Sequence, residues 1–250
     1  MVVVWRLGGI SVMISGINLF SMGCQAVNTG VVTPPAPFDP INDVDATIEL
    51  WHDASDASTL FAGDTGSALS SPDGVIARWV DKSGNQRTAT QTINSLRPQR
   101  KTNIQNGLDM VLFNGSRWFV NRTFNVKYVV TVAQTLETKA FAGLFTGTNS
   151  ELILNSSGNG VINVHGANVN GDSTLSVTNG VTFLWSINRE TAVNTSRTFG
   201  QEFNTTGSAR SWNGYCGEII CYSTTPSEAD QRKLLEYLQA KWATPALPAP

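Results

Sequence analysis

Charge is what this 250-residue chain has least of: Asp, Glu, Lys and Arg together make up 14% of it, against about a quarter in an ordinary soluble domain. The formal net charge is −2, so no global field draws in nucleic acid or an anionic membrane. The densest cationic group, Arg97, Arg100 and Lys101, has no interleaved aromatics on which bases could stack. It reads as a solvated loop ahead of a strand. Histidine occurs only at positions 52 and 165, and the three cysteines (Cys24, Cys216, Cys221) form neither a CxxC nor a Cys/His spacing, so no zinc motif is present. Cys216 and Cys221 fall on one expected strand, too far apart to bridge at about 3.3 Å per residue. Free thiols suit a reducing assembly compartment. No period of 20–50 residues recurs, which excludes solenoids and propellers.

Long apolar runs are also missing. The most apolar stretch, residues 1–23, is broken by Asn18, three serines and four glycines. It falls short of the ~20 strongly apolar residues of a membrane-spanning helix. One basic residue, an apolar middle and Cys24 ahead of a Pro/Thr-rich spacer (29–40) give the outline of a bacterial lipoprotein leader. Against that outline, Ser21 stands where a lipobox has leucine, and Arg6 comes late. Uncleaved, the segment reads as an arm that docks onto a neighbouring subunit. TPPAPFDP (33–40) is an extended polyproline-like linker. The expected organisation is an arm and linker over 1–45, a β-domain over 46–244 and a tail over 245–250.

What the chain does have is short β segments separated by Gly, Asn, Ser and Asp clusters. Thr47–His52 alternates, and in Val75–Val80 the residues Val75, Ala77 and Trp79 share a face, which makes Trp79 an expected core anchor. Met110–Phe113 and Trp118–Val120 flank an Asn114-Gly115 turn. KYVVTVA (127–133) is nearly continuous in β-branched and apolar residues, as in a central strand covered on both faces. Leu152–Leu154, Val161–Val164, Thr182–Ile187 and Glu218–Tyr222 follow, with Phe183, Trp185 and Ile187 pointing inward. The exception is the end, where a helix is expected over 225–243. Thr225-Pro226-Ser227-Glu228 has the form of a capping box with proline at the first helical position. Leu234, Leu235, Leu238 and Trp242 then share one stripe.

Two blocks carry a family likeness. Between Trp51 and Gln91, WHDASDASTL, VIARWVDKSGN and ATQ give a strand, an acidic turn, a second strand and a DKSGN corner. This resembles the opening hairpin region of the concanavalin A-like (laminin G-like) jelly-roll domains of phage virion and bacterial surface proteins. GEIICYS leading into a capped helix that ends in KWA resembles the way many of these domains close. Together the blocks bracket residues 51–242. The resemblance implies an all-β, two-sheet antiparallel jelly-roll sandwich with a short C-terminal helix. It marks a fold and not an activity.

The chemistry expected of the chain is binding and not catalysis. Lectin-fold glycosidases place two carboxylates on alternate positions of one strand, and no ExDxxE-like run exists here. Asp109, Glu137, Glu151, Asp172, Glu190, Glu202 and Glu218 all stand singly. There is no GxSxG elbow for a Ser-His-Asp triad, and GNG at 158–160 reads as a hairpin turn, not a phosphate loop. Asp53, Asp56 and Asp81, with Asn85, could offer oxygens to calcium, as rim loops of laminin G-like domains do, although Asp and Asn are also the ordinary turn formers. The five glycosylation sequons (Asn114, Asn121, Asn155, Asn194, Asn204) are expected from composition. Sugar binding would need an exposed aromatic platform, for which Trp118, Trp212 and Tyr215, with Asn213, are the candidates; half-buried sandwich-edge residues are the alternative for each.

The expected protein is a non-catalytic virion structural or decorating protein of capsid or tail. In that reading residues 1–45 hold neighbouring subunits in a symmetric assembly and the lectin-like domain projects toward host glycans. The alternatives are a bacterial surface lipoprotein tethered through Cys24, with a carbohydrate-binding domain, and a divergent glycan hydrolase.

Overall fold

The computed structural model describes residues 37–147, 174–201 and 210–245 fully, and gives backbone strand placement at 5–7, 10–12, 151–156, 161–165 and 169–170. The chain divides into two compact units, Met1–Pro37 and Phe38–Pro250. In the first, β1 (Trp5–Leu7) pairs antiparallel with β2 (Ile10–Val12). Cys24 and most of the proline-rich spacer lie outside the described residues.

The second unit begins with β3 (Ile48–Asp53) and three short strands, β4 (Leu60–Phe61), β5 (Arg78–Trp79) and β6 (Ala89–Thr90). Next come β7 (Gln99–Gln105), β8 (Leu108–Asn114), the 17-residue β9 (Phe119–Thr135) and β10 (Ala142–Gly147). The strands β11 (Glu151–Ser156), β12 (Val161–His165), β13 (Val169–Asn170) and β14 (Thr174–Ser176) lead to the 18-residue β15 (Thr182–Phe199). Last are β16 (Asn213–Tyr222) and α1 (Glu228–Trp242). In this unit the strand pairs are antiparallel and join in one nearly barrel-like sheet of order β14-β12-β11-β10-β15-β9-β16-β8-β7, with β13 on β15, β3 on β16 and β4–β6 reaching β9 off that path. The all-β antiparallel sandwich with a C-terminal helix is therefore the fold, as expected.

The central strand β9 lies between β15 and β16, as the KYVVTVA run implies. Its residues supply two cores, one on each face. Phe124, Val126, Val129 and Ala133 join Trp79, Phe113, Trp185 and Phe199, and Leu60, Trp79 and Ala89 of β4–β6 help to close over them. Tyr128, Val130 and Val132 join Trp51, Leu234, Leu238 and Trp242 under α1. Strand β16 pairs with β8 along Asn213–Cys216 and with β3 along Glu218–Tyr222. The changeover falls at Gly217, where a Cβ would lie 2.8 Å from both Met110 and the Trp242 ring. Only glycine lets the helix tryptophan sit that close to the sheet. Cys216 and Cys221 are free and buried on this one strand.

Two expectations change in detail. The body starts at Phe38, not at residue 46: Val44 is buried, Phe38 and Ala46 pack on the helix-side core, and Tyr222 donates a hydrogen bond to the Pro40 carbonyl (3.0 Å). Phe38 also meets the Tyr237 ring of α1, 5.1 Å between centres. The helix is capped by Ser227, whose hydroxyl accepts from the Asp230 amide (3.3 Å), while Thr225 donates to Asn188 (2.9 Å). Pro226 therefore precedes the cap, and Glu228 and Asp230 occupy the first turn, where acids favour the helix dipole. The Asn114-Gly115 turn does not close a hairpin, because β8 and β9 flank β16 on opposite sides. The Gly115 amide is drawn instead to the Trp212 carbonyl (2.9 Å). The GNG turn lies outside the described residues, but the strands on either side of it, β11 and β12, pair as a hairpin requires.

Candidate functional site

The closest approach to a reaction centre is a pair of carboxylates that the sheet register brings together. Asp53 on β3 stands opposite Glu218 on β16, and both accept from the Lys241 ammonium, at 2.9 and 2.7 Å. Sequence reading misses this pair because the residues lie 165 positions apart; only strand register joins them. Each Glu218 oxygen is committed, one to the Trp51 indole (2.7 Å) and the other to Lys241 and the Trp242 indole (2.8 Å). Asp53 also takes Lys82 (2.9 Å), which lies over the Trp51 ring. Glu218 is completely buried. Burial and the Asp53 charge raise its carboxyl above the usual range, against the pull of Lys241 and Trp242. Burial also pushes Asp53 up, but Lys241, Ser55 and Lys82 outweigh it and hold that carboxyl down. A glycosidase needs one free nucleophile and room for a sugar between its carboxylates. This cluster offers neither; it fastens α1 to the sheet.

The residues considered for calcium do not form an ion cage. Lys82 spans Asp53 and Asp56 (2.9 and 3.2 Å), so an ammonium stands where a cation would be held. Asp81 is spent on the DKSGN corner, accepting from the Trp51, Ser83 and Arg87 amides and the Ser83 hydroxyl. The Asn85 amide donates to the Ile48 carbonyl. Among the described residues no group of three or more His, Cys, Asp or Glu is placed to hold a metal.

The aromatic candidates do not converge either. Trp212 is fully buried in the core around Trp79, while Tyr215 packs half-buried on the helix-side core. Their positions on either face of the sheet rule out a common platform. Asn213 donates to Glu137 (3.0 Å) at the edge. Trp118 is half-buried, with its backbone held by Leu96 and by the Gln91 side chain.

A different site emerges from the Trp51–Gln91 block. An open groove of about 570 Å³ is lined by Val80, Asp81, Gly84, Gln86, Thr88 and Thr90 on one side and Val120, Asn121 and Arg122 on the other. The two walls meet where Thr90 of β6 pairs with Val120 of β9. The floor is fixed from within. Asn121 donates to His52 Nε2 (3.3 Å) and to the Arg87 carbonyl (2.9 Å), and His52 Nδ1 donates to the Val80 carbonyl (3.3 Å). Full burial against Trp79 lowers the His52 pKa to about 4, so the ring is neutral and this tautomer persists. With its amide held inside, Asn121 is closed to glycan attachment. The outer residues Gln86, Thr90 and Arg122 are exposed, and their side chains have no hydrogen bond or ion pair among the described residues. The sequence offered one signal, a run of small polar residues, which turns also produce.

The chain matches no family model, no curated protein and no solved structure.

Proposed function

We propose that this protein is a non-catalytic structural or decorating component of a phage or virus-like particle, with a lectin-like sandwich that offers the Gln86–Arg122 groove to surface glycans. The observation behind glycan binding is the contrast inside that groove. Its floor groups, Asp81 and Asn121, are saturated by internal hydrogen bonds, while Gln86, Thr90 and Arg122 are free to bond outward. A floor fixed before binding keeps the ordering cost low. An amide, hydroxyls and a guanidinium beside the Val120 methyls match the hydroxyls and the small apolar face of a sugar ring. The particle setting rests on the resemblance of Trp51–Gln91 and GEIICYS-helix to virion jelly rolls, and the role of the segment before Phe38 as a contact to neighbouring subunits rests on the layout of an apolar segment and a proline-rich linker ahead of a sandwich. Catalysis forms no part of the proposal, because both oxygens of the buried Glu218 are already bonded.

A glycan array followed by calorimetry on the best ligand tests the groove. The double variant Arg122→Ala/Thr90→Val should weaken binding at least tenfold, equivalent to about 1.4 kcal/mol, and Trp118→Ala should not. An array without a bound glycan, or an unaffected double variant, removes the groove from the proposal. Cryo-EM of the native particle tests the setting: density for this chain on the outer surface is expected. A mature chain beginning at diacylated Cys24 would place it on a bacterial surface instead.

A further inference from the structure

The cluster that fastens α1 to the sheet also has the parts of a bond-forming centre. Lys241 Nζ lies 2.9 Å from Asp53 Oδ2 and 2.7 Å from Glu218 Oε2, and the three side chains are 18%, 4% and 0% exposed. The Tyr237 and Trp242 rings flank the ammonium, with centres 5.7 and 5.5 Å away. The Trp51 indole closes the other Glu218 oxygen. The last turn of α1 is pinned in place. Asn106 donates to the Lys241 carbonyl and Gln105 to the Trp242 carbonyl, each at 2.8 Å. Asp53 is oriented as firmly. Its Oδ1 accepts from the Ser55 amide (3.1 Å) and the Ser55 hydroxyl (2.6 Å), and its Oδ2 accepts from Lys82 (2.9 Å) as well as from Lys241.

An amine and a carboxyl held this close on rigid elements, mostly out of water, meet the condition under which intramolecular reactions gain most. Joining them as a neutral amide also removes two charges whose desolvation is costly. We infer that Lys241 and Asp53 form an isopeptide bond, made by the folded protein itself with Glu218 as proton carrier. Burial favours the neutral forms of both groups, but the opposite charges outweigh it, so the resting pair is an ammonium and a carboxylate. Reaction begins when one proton crosses from Nζ to Oδ2, leaving an amine beside a carboxylic acid. The amine lone pair attacks Asp53 Cγ, and negative charge gathers on Oδ1, where the Ser55 amide and hydroxyl already donate. Burial and the Asp53 charge dispose Glu218 to hold a proton. It takes the second proton from Nζ across 2.7 Å and returns it to Oδ2, which borders the same nitrogen. The Cγ–Oδ2 bond breaks, Oδ2 leaves as water, and the third proton stays on the amide. Nothing is oxidised or reduced, and Glu218 ends as it began. Lys82 touches the same Asp53 oxygen but is shared with Asp56 and forms no ion pair with Glu218, so it lacks the proton acceptor. The bond ties β3 to α1 and closes a loop through most of the sandwich, which restrains the unfolded chain.

The test uses the full chain. Intact-mass spectrometry, after incubation of the folded protein at neutral pH, reads the bond as the loss of one water, about 18 Da. Digestion and fragment sequencing should then find a branched peptide that joins Lys241 to Asp53. Lys241→Arg and Glu218→Gln should keep the full mass. Lys233→Arg, at an exposed position of the same helix, should lose the water as the unaltered chain does. The deciding mass is that of the unaltered protein, so no variant has to fold for the inference to fail. An undiminished mass in the folded protein overturns the bond. So does a loss that survives in Lys241→Arg, which would mark aspartate cyclisation, or a branch at Lys82 in place of Lys241.

Discussion

On the helix side of the central sheet, Glu218, Asp53, Lys241 and Lys82 form a closed set, in which every carboxylate oxygen of Glu218 meets a donor and Lys241 joins both acids. On the other side, Arg189 and Arg197 bring two positive charges into the interior and leave four nitrogens without acceptors. Between them in character stands His52, on the same side as the arginines, which avoids the problem by being neutral. The same low-charge chain therefore handles buried titratable groups in three ways: pairing, neutralisation and, on β15, neither. The paired cluster fastens the helix to the sheet, while the arginines leave donor groups without acceptors among the described residues.

The sharpest way to break that comparison is to unpair the paired side. Glu218→Ala strands two indole N–H groups and takes from the Lys241 ammonium one of its two acids, and should cost about 3–5 kcal/mol in urea unfolding; a loss below 1 kcal/mol would mean that the cluster contributes little to stability. Next in size is acid sensitivity. The His52 pKa is lowered to about 4 from 6.5, so below pH 6.5 the unfolded chain binds a proton that the folded chain refuses. Stability should thus rise with pH across 4 to 6.5, by about 3 kcal/mol in all. The depressed Asp53 carboxyl adds a loss only at lower pH, and the raised Glu218 carboxyl opposes the trend just above its usual range. His52→Gln should flatten the pH profile measured by thermal unfolding, and an unchanged slope would assign it to other groups.

Two smaller effects sharpen the contrast. Arg197→Met should leave the protein as stable or about 1–2 kcal/mol more stable, since it removes a buried charge that has no acid partner among the described residues. A marked loss in chemical denaturation would show that the aromatic contacts of Arg197 already compensate it. Lys82→Met should cost less than about 1 kcal/mol, because Lys82 is partly solvated and Lys241 still serves Asp53; a double-mutant cycle with Asp53→Asn measures that term.

Much of the architecture was legible in residue order, because strands and helices announce themselves locally. The unbroken KYVVTVA run could be satisfied only by cover on both faces, and β9 has it. Trp79 and Trp242 showed their burial by the faces they share with other apolar residues. Where neighbouring signals compete, local reading slips. Thr225 and Ser227 are both good caps, and the choice fell to whichever hydroxyl met the Asp230 amide once Thr225 had bonded to Asn188. Asn114-Gly115 made a turn, but which strand it turned toward depended on β16, about a hundred residues on.

The site was less legible. Trp118, Trp212, Tyr215 and Asn213 looked like a binding set because polar turn residues surround them, yet strand alternation puts Trp212 and Tyr215 against different cores. The aspartates of the Trp51–Gln91 block suggested an ion, but their oxygens go to Lys82 and to backbone amides. That block nonetheless forms one wall of the groove.

By itself the sequence determined that this protein is an antiparallel β-sandwich with one terminal helix, because side-chain periodicity, turn residues and caps act over a few positions. It also showed a chain poor in charge, without a CxxC or Cys/His zinc spacing. Only the tertiary structure decided which charges meet. Asp53 stands opposite Glu218, Asn121 reaches His52, and Arg189 and Arg197 meet no carboxylate among the described residues, because strand register and curvature set contacts between residues far apart in the chain. Those contacts, and not the residue types, separate a buried acid that fastens a helix from buried guanidinium groups that meet no carboxylate among the described residues.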